Sequence, residues 1–307
     1  MTEPLAPEVE TRLDEVPRFA GRPRTVEALT GGLTNINLKV TTPEGCYVAR
    51  LSNDHGDLLA IDREAEYRNS VAAAESGMAP AVVDYLPGRG VLVVAWVDGR
   101  TYEPADVREP ANLPRLADAC RTLHSGPRFA NDFDMFTIQR GYLALVQERG
   151  FRLPDRFVEF QPQIQRMEAA LAVHPNPPLP CNNDLLAANI IDAGDRLWLI
   201  DWEYAGNGDP AFELGNVWSE SNLSLDQLEE LVTRYHGEPR PDQVARARLL
   251  GVMSKYGWTL WGSIQDSISD LDFDFWEWAM EKYDRAVEEF DGPDFDALLD
   301  QAAAGPR

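Results

Sequence analysis

Asp184, Asn189 and Asp201 fall within one short stretch, CNNDLLAANIIDAGDRLWLIDWEYA, which runs from Cys181 to Ala205. Two acids and an amide at spacings of five and twelve residues can divide one task. One carboxylate orients a hydroxyl nucleophile and accepts its proton, while the amide oxygen and the second carboxylate hold Mg²⁺ on a triphosphate. That is the division of labour of phosphoryl transfer, with Asp184 as the base and Asn189 and Asp201 as metal ligands. In isolation such residues cap turns or end strands. A lone D-x-x-x-x-N also matches often by accident, so its surroundings must carry the reading.

Those surroundings begin with the hairpin that delivers the residues. NIID, the turn AGD and RLWLID predict two short strands, with Asn189 opening the first and Asp201 at the far end of the second. Upstream, NINLKVTT alternates Ile36, Leu38 and Val40, and CYVARL follows after the turn Pro43 to Gly45, which predicts a hairpin. DLLAIDREAEYRNSVAAAESG predicts a helix with Asp57 as N-cap and Gly77 as its stop. AVVDYL and VLVVAWV predict two more strands around the turn Pro87 to Gly90. Strand, strand, helix, strand, strand is the order of a small nucleotide-gripping lobe, expected over residues 1–96, with Val97 to Pro104 as the hinge into a helical lobe over 97–307. There LPRLADACRTLHSG and DRFVEFQPQIQRMEAALAVH carry apolar stripes, the chain is helical again to about Phe290, and the tail DALLDQAAAGPR reads as frayed or disordered at its end. The expected class is therefore α+β, in two lobes.

Composition excludes several functions. A formal charge of −23 argues against a nucleic-acid surface, because a phosphate backbone is gripped by clustered Lys and Arg. Lysine is nearly absent, occurring only at 39, 255 and 282. Cys46, Cys120 and Cys181 lack the paired spacings of a zinc site or a disulfide framework, and a reducing cytoplasm is the expected compartment. The start MTEPLAPEVETRLDEVPRF has neither a basic start nor an apolar run, so no signal peptide is expected. No run of about 18 apolar residues suggests a membrane span. His55, His124, His174 and His236 show no ligand spacing, and His124 reads as a helix-end residue.

The stretch Cys181 to Ala205 resembles the catalytic loop and metal-binding segment of the kinase-like phosphotransferases that include choline kinases, ethanolamine kinases and aminoglycoside phosphotransferases, whose pattern is H-x-D-x-x-x-x-N followed by I-D-[FW]-E. IDWEYAGNGDPAFELGNVWSE is similar to the choline kinase signature, with Phe212, Asn216 and Glu220 at that family's spacings. LTGGLTNINLKV resembles its phosphate-loop strand pair, YVARL the strand whose basic residue meets nucleotide phosphates, and IDREAE the helix that follows. The likeness runs roughly from Leu29 to Phe290 and implies a two-lobed protein-kinase-like fold that uses ATP and Mg²⁺. Gly31 and Gly32, lacking Cβ atoms, would let backbone N–H groups approach phosphate oxygens, with Thr34 and Asn35 as added donors. Arg50 would bind phosphate oxygens with its planar fork, as choline kinases do with an arginine there, and Glu64, with Glu66 as the alternative, would hold it. Two positions depart from the pattern. Asn182 replaces the loop-bracing histidine, although its amide still offers a donor and an acceptor, and Glu213 replaces an aspartate.

YGWTLWGSIQDSISDLDFDFWEWAMEKY sets Trp258 and Trp261 three apart on one helix face, with Trp276 and Trp278 about five helical turns later. Such stripes are often core. This one resembles the choline kinase region W-x-x-W…Q-x-x-I-S, in which Trp258, Trp261 and Trp278 correspond to the aromatic cage. A quaternary ammonium cannot donate hydrogen bonds and is held by π faces, at roughly 0.5 to 2 kcal/mol per contact, plus a carboxylate such as Glu220. The expected activity is ATP- and Mg²⁺-dependent phosphorylation of the choline hydroxyl. Ethanolamine or an aminoglycoside are the rival acceptors, and a kinase-like sensor with weakened catalysis, motivated by Asn182, is the non-enzyme alternative.

Overall fold

The structure is a computed structural model and describes residues 6–29, 32–52 and 56–305. The chain runs α1 (Pro7–Asp14), β1 (Thr25–Ala28), β2 (Asn35–Thr42), β3 (Gly45–Ser52), α2 (Arg63–Glu75), β4 (Val82–Leu86), β5 (Val91–Ala95) and β6 (Arg100–Thr101). It continues with α3 (Pro104–Arg108), α4 (Leu113–His124), α5 (Met135–Arg149), α6 (Gln161–Leu171), β7 (Leu179–Cys181), β8 (Ile190–Asp192), β9 (Leu197–Leu199) and β10 (Gly206–Gly208). Five helices complete it: α7 (Pro210–Ser221), α8 (Leu225–His236), α9 (Pro241–Ile268), α10 (Phe275–Phe290) and α11 (Phe295–Ala304).

Both expected N-terminal hairpins form, β2 with β3 and β4 with β5, within an antiparallel sheet of order β1-β2-β3-β5-β4. The pleat sends alternate side chains to opposite faces. Leu38, Val40, Ala49, Leu51, Val91 and Val93 are buried on one side, where Val9 and Leu13 of α1 and the following Val16 and Phe19 close a small core. The alternate residues Asn37, Val48, Arg50, Leu92 and Val94 line the cleft between this sheet and the rest of the molecule. Neither α1 nor β1 was expected from the sequence. Arg12 of α1 is tied to the carbonyls of Ser52, Arg89 and Gly90.

Helix α2 starts later than expected. Ala60 adopts a left-handed φ of 56°, which ends the turn Gly56–Leu59, and Asp62 rather than Asp57 caps the helix by accepting from the amides of Glu64 and Ala65.

The larger region is built on α9, whose residues 245–265 are almost all buried beneath α7, α10, α5 and α11. Helices α7 and α9 meet at Gly215 and Gly251, where a Cβ on Gly215 would stand 2.7 Å from the Gly251 nitrogen and one on Gly251 2.6 Å from the Gly215 carbonyl oxygen. Only hydrogen fits there. The chain is helical to Phe290 as expected, with a break at Ser269–Asp274 after which α10, capped by Asp274, runs back along α9. Most of the tail forms α11, packed through Phe295, Leu298, Leu299 and Ala302, and the fraying expected at its end falls on Pro306 and Arg307, outside the described residues. The segment after β5 joins this region directly, since β6 pairs with β8 in the sheet β6-β8-β9. The α+β, two-lobed class expected from the sequence is the one observed.

Candidate active site

The hairpin β8–β9 presents the three chemical residues where the larger region faces the sheet. Asn189 ends a 3₁₀ turn just before β8, and its Nδ2 donates to the Asp184 carbonyl at 2.7 Å, which leaves Oδ1 as the atom that could hold a metal ion. Asp201 follows β9 in a left-handed conformation, φ 66°, and Asn183 has φ 67°. Non-glycine residues hold such angles only where neighbours over-determine them. Here they do so through hydrogen bonds. Asn183 Nδ2 donates to the carbonyls of Cys181, Tyr204 and Gly206, at 3.2, 3.1 and 3.4 Å.

Asn182, fully buried, ties the two acidic segments together. Its Nδ2 donates to the Asp201 carbonyl at 2.8 Å and the Ile200 carbonyl at 3.3 Å, while its Oδ1 accepts from the Asp184 amide at 3.1 Å. The two Glu213 oxygens accept the backbone amides of Asn182 and Asn183, at 3.0 and 2.7 Å. Behind them, His124 at the end of α4 lies 3.6 Å from Glu213 and 3.5 Å from the Cys181 sulfur. These three form a buried group that sequence spacing did not reveal. Its carboxylate is already committed to the loop amides.

Arg50 reaches across from β3. Its Nη2 stands 2.9 Å from Asp201, 3.5 Å from Glu66 and 3.6 Å from Glu203. Burial alone would depress its pKa, but the three carboxylates outweigh that and hold the guanidinium firmly charged. Glu64, the expected partner, is exposed and pairs with Arg68 instead. Two residues are about 200° of helical turn apart, so the two acids take opposite faces of α2, and it is Glu66 that points inward, 5 % exposed. Arg63 joins the cluster, 2.8 Å from Glu66 and 3.2 Å from Glu203.

Glu203 is the residue sequence reasoning passed over, although it is the last letter of the I-D-W-E segment. Its carboxylate accepts from Thr34 Oγ1 at 2.8 Å and Asn35 Nδ2 at 3.0 Å. Both side chains expected to meet phosphate are therefore engaged by an acid from the opposite side of the cleft. Desolvation, then Asp201, push the Glu203 carboxyl up to about 7 against the pull of Arg50 and Arg63. Gly31 lies outside the described residues. Gly32 is held tightly, since a Cβ there would stand 2.6 Å from the Asn35 carbonyl oxygen.

The aromatic residues meet the acids in one cleft. Trp258, Trp261, Trp278, Tyr204 and Glu220 line the same cavity, about 460 Å³, as Asp184, Asn189, Asp201, Arg50 and Thr34. Because α10 doubles back, Trp278 stands 5.2 Å from Trp261 between ring centroids. Gly262 permits that approach, since a Cβ there would lie 2.8 Å from Ala279 Cβ. Tyr204, unpredicted, packs edge-on to Trp258 at 4.8 Å and accepts from Trp261 Nε1 at 2.8 Å. The buried Trp258 Nε1 has no partner. Trp276 lies beneath the Arg152 guanidinium at 3.9 Å and does not line the cleft. Desolvation, followed by Asp201, Glu220 and Glu203, pushes the Asp184 carboxyl well above the usual range, with Lys282 opposing. A base, two hard-oxygen ligands and a fixed cation, facing an aromatic chamber, can bring a hydroxyl of a cationic alcohol onto a phosphoryl group.

Residues 25–249 match the phosphotransferase enzyme family. The fold is similar to that of a choline/ethanolamine kinase family protein from Mesorhizobium loti, with 31 % identity and a TM-score of 0.84 over 97 % of this chain and 99 % of that one. Protein LicA from Haemophilus influenzae is 25 % identical over 272 residues, 84 % of this chain and 78 % of that protein. Ethanolamine kinase 2 from Mus musculus is 27 % identical over 288 residues, 83 % of this chain and 73 % of that protein.

Proposed function

Because the chain belongs to the phosphotransferase enzyme family, as a choline/ethanolamine kinase-like member, we propose that it transfers the γ-phosphoryl group of ATP to the hydroxyl of choline, giving phosphocholine. Residues 1–96 serve in this reading as the nucleotide lobe and 97–307 as the catalytic and substrate lobe. Asp184 orients the attacking hydroxyl and accepts its proton; its raised pKa suits a base in a desolvated cleft. Asn189 and Asp201 supply hard oxygen donors that fit Mg²⁺, which would neutralise charge on the phosphates. Arg50 and the Gly31 to Asn35 loop hold the phosphates in line, with Thr34 and Asn35 exchanging Glu203 for phosphate oxygen. Trp258, Trp261, Trp278 and Glu220 surround the substrate's ammonium.

The observation that carries this reading is the single cleft shared by Asp184, Asp201 and the three tryptophans. An aromatic wall suits a quaternary nitrogen, which makes no hydrogen bonds. Ethanolamine is the second reading, favoured by the likeness to ethanolamine kinase 2. The bonds that Asn182 makes to both acidic segments count against a non-catalytic sensor. Among the described residues, no helix is long and apolar enough to cross a membrane. ADP release with Mg²⁺ across choline, ethanolamine and aminoglycosides tests the proposal. Choline is expected to give the highest kcat/KM, with Asp184→Asn lowering kcat about 10²- to 10⁴-fold. Turnover confined to an aminoglycoside, or full activity in Asp184→Asn, would refute it.

A further inference from the structure

Lys282 lies one helical turn after Trp278 on α10, and its ammonium is buried against Glu220 and Trp278, two residues that line the aromatic end of the cleft. Nζ donates to both Glu220 oxygens, at 2.7 and 2.5 Å, and stands 4.3 Å from the Trp278 ring centroid. The two side chains are 7 % and 8 % exposed. A chain with three lysines thus places one where the substrate's own cation was expected to find its counter-ion.

The consequence differs between the two acceptor alcohols. Choline and ethanolamine carry the same charge, so the Coulombic effect of a Glu220–Lys282 pair is common to both and cancels in their ratio. Their hydrogen-bonding demands do not cancel. A primary ammonium gives up three N–H bonds to water on entering and must find acceptors, or bear the penalty of buried unpaired donors. Indole faces are poor acceptors, and each Glu220 oxygen already accepts from the Lys282 ammonium, which weakens it as an acceptor for a second ammonium. A quaternary ammonium has no N–H to satisfy and asks only for π faces.

We propose that Lys282 is a specificity-determining residue: by engaging both Glu220 oxygens it weakens that carboxylate as a hydrogen-bond acceptor at the aromatic end of the cleft and so selects quaternary over primary amino alcohols. The inference rests on the amino-alcohol kinase reading and adds a residue to it. In the wild-type protein, kcat/KM is expected to rise along ethanolamine, N-methylethanolamine, N,N-dimethylethanolamine and choline as N–H donors are removed. Lys282→Met frees the carboxylate and should lower the choline-to-ethanolamine ratio of kcat/KM at least tenfold, mainly through a smaller KM for ethanolamine. Lys282→Arg, which can still hold Glu220, should keep the ratio within threefold. Should the unpaired acid prevent Lys282→Met from folding, the Glu220→Gln/Lys282→Met pair buries no charge yet frees a carbonyl acceptor, and its ratio should fall at least threefold. A flat wild-type series, or an unchanged ratio in either folded variant, overturns the proposal. No ADP release with any amino alcohol would overturn the kinase reading itself and this inference with it.

Discussion

Replacing Asn182 by alanine would remove three hydrogen bonds at a fully buried position. It strands the Asp184 amide together with the carbonyls of Asp201 and Ile200. Each buried bond is worth about 1 kcal/mol net, and a backbone group left unpartnered away from water costs about 1–3 kcal/mol. The Ile200 bond is long at 3.3 Å and contributes little, so the two short bonds decide the outcome. Together they set a stability loss of about 3 kcal/mol, and for a chain of 307 residues a fall in Tm of about 5 °C. The kinetic effect should be larger than the thermal one. Asn182 is the side chain that touches both acidic segments, and a misplacement of about 1 Å costs roughly 10² in rate. The expected Asn182→Ala protein is therefore folded, binds nucleotide and releases ADP about 10²-fold more slowly. Asn182→Asp keeps the acceptor for Asp184 but sets an anionic oxygen against two carbonyls, and should be at least as slow. Asn182→His, which restores the residue of the family pattern, should stay within a few fold. Calorimetry and coupled ADP release measure both quantities. Wild-type Tm and kcat in Asn182→Ala would mean that Glu213, through the two loop amides, positions the acids without Asn182.

Two further outcomes follow from the fold and its charges. Gly215→Ala drives a methyl into the α9 backbone beside Gly251 and should cost about 3 kcal/mol in urea denaturation; an unchanged midpoint would contradict the close helix crossing. Glu203 has a folded-state pKa raised to about 7, above its unfolded value of about 4.3. The folded state then binds the extra proton, and the resulting stability is fully present below the unfolded value and is lost as pH rises through about 7. Glu203→Gln should flatten that decline in the nucleotide-free protein between pH 5 and 8. A wild-type protein whose stability does not fall over that range would remove the basis for the shift.

The parts legible in the sequence were those encoded by neighbours. The hairpins β2–β3 and β4–β5 follow from alternation and turn residues, and Asp184, Asn189 and Asp201 from a spacing that a single hairpin can satisfy. Trp258 and Trp261 were one face of one helix in either reading. Less legible were α1 and β1, whose apolar residues are few and acquire meaning only against the sheet they cover. The inward acid on α2 depends on which face the whole helix packs, and the helix starts five residues later than expected, neither of which local propensity resolves.

Residue types and short-range periodicity determined, without any coordinates, that this chain is a two-lobed α+β protein with Asp184, Asn189 and Asp201 gathered in one loop and hairpin, because those properties depend on contacts a few positions apart. Tertiary structure alone decided the pairings across the cleft. Thr34 meets Glu203, Arg50 meets Asp201 and Glu66, and Glu220 meets Lys282, at separations of 16 to 169 residues. Such pairs are selected by where whole elements pack, and the energy that places an element is summed over its buried face. The doubling back of α10 illustrates the point. It brings Trp278 to Trp261 and Lys282 to Glu220 in one movement, and no local signal around residue 270 names either partner.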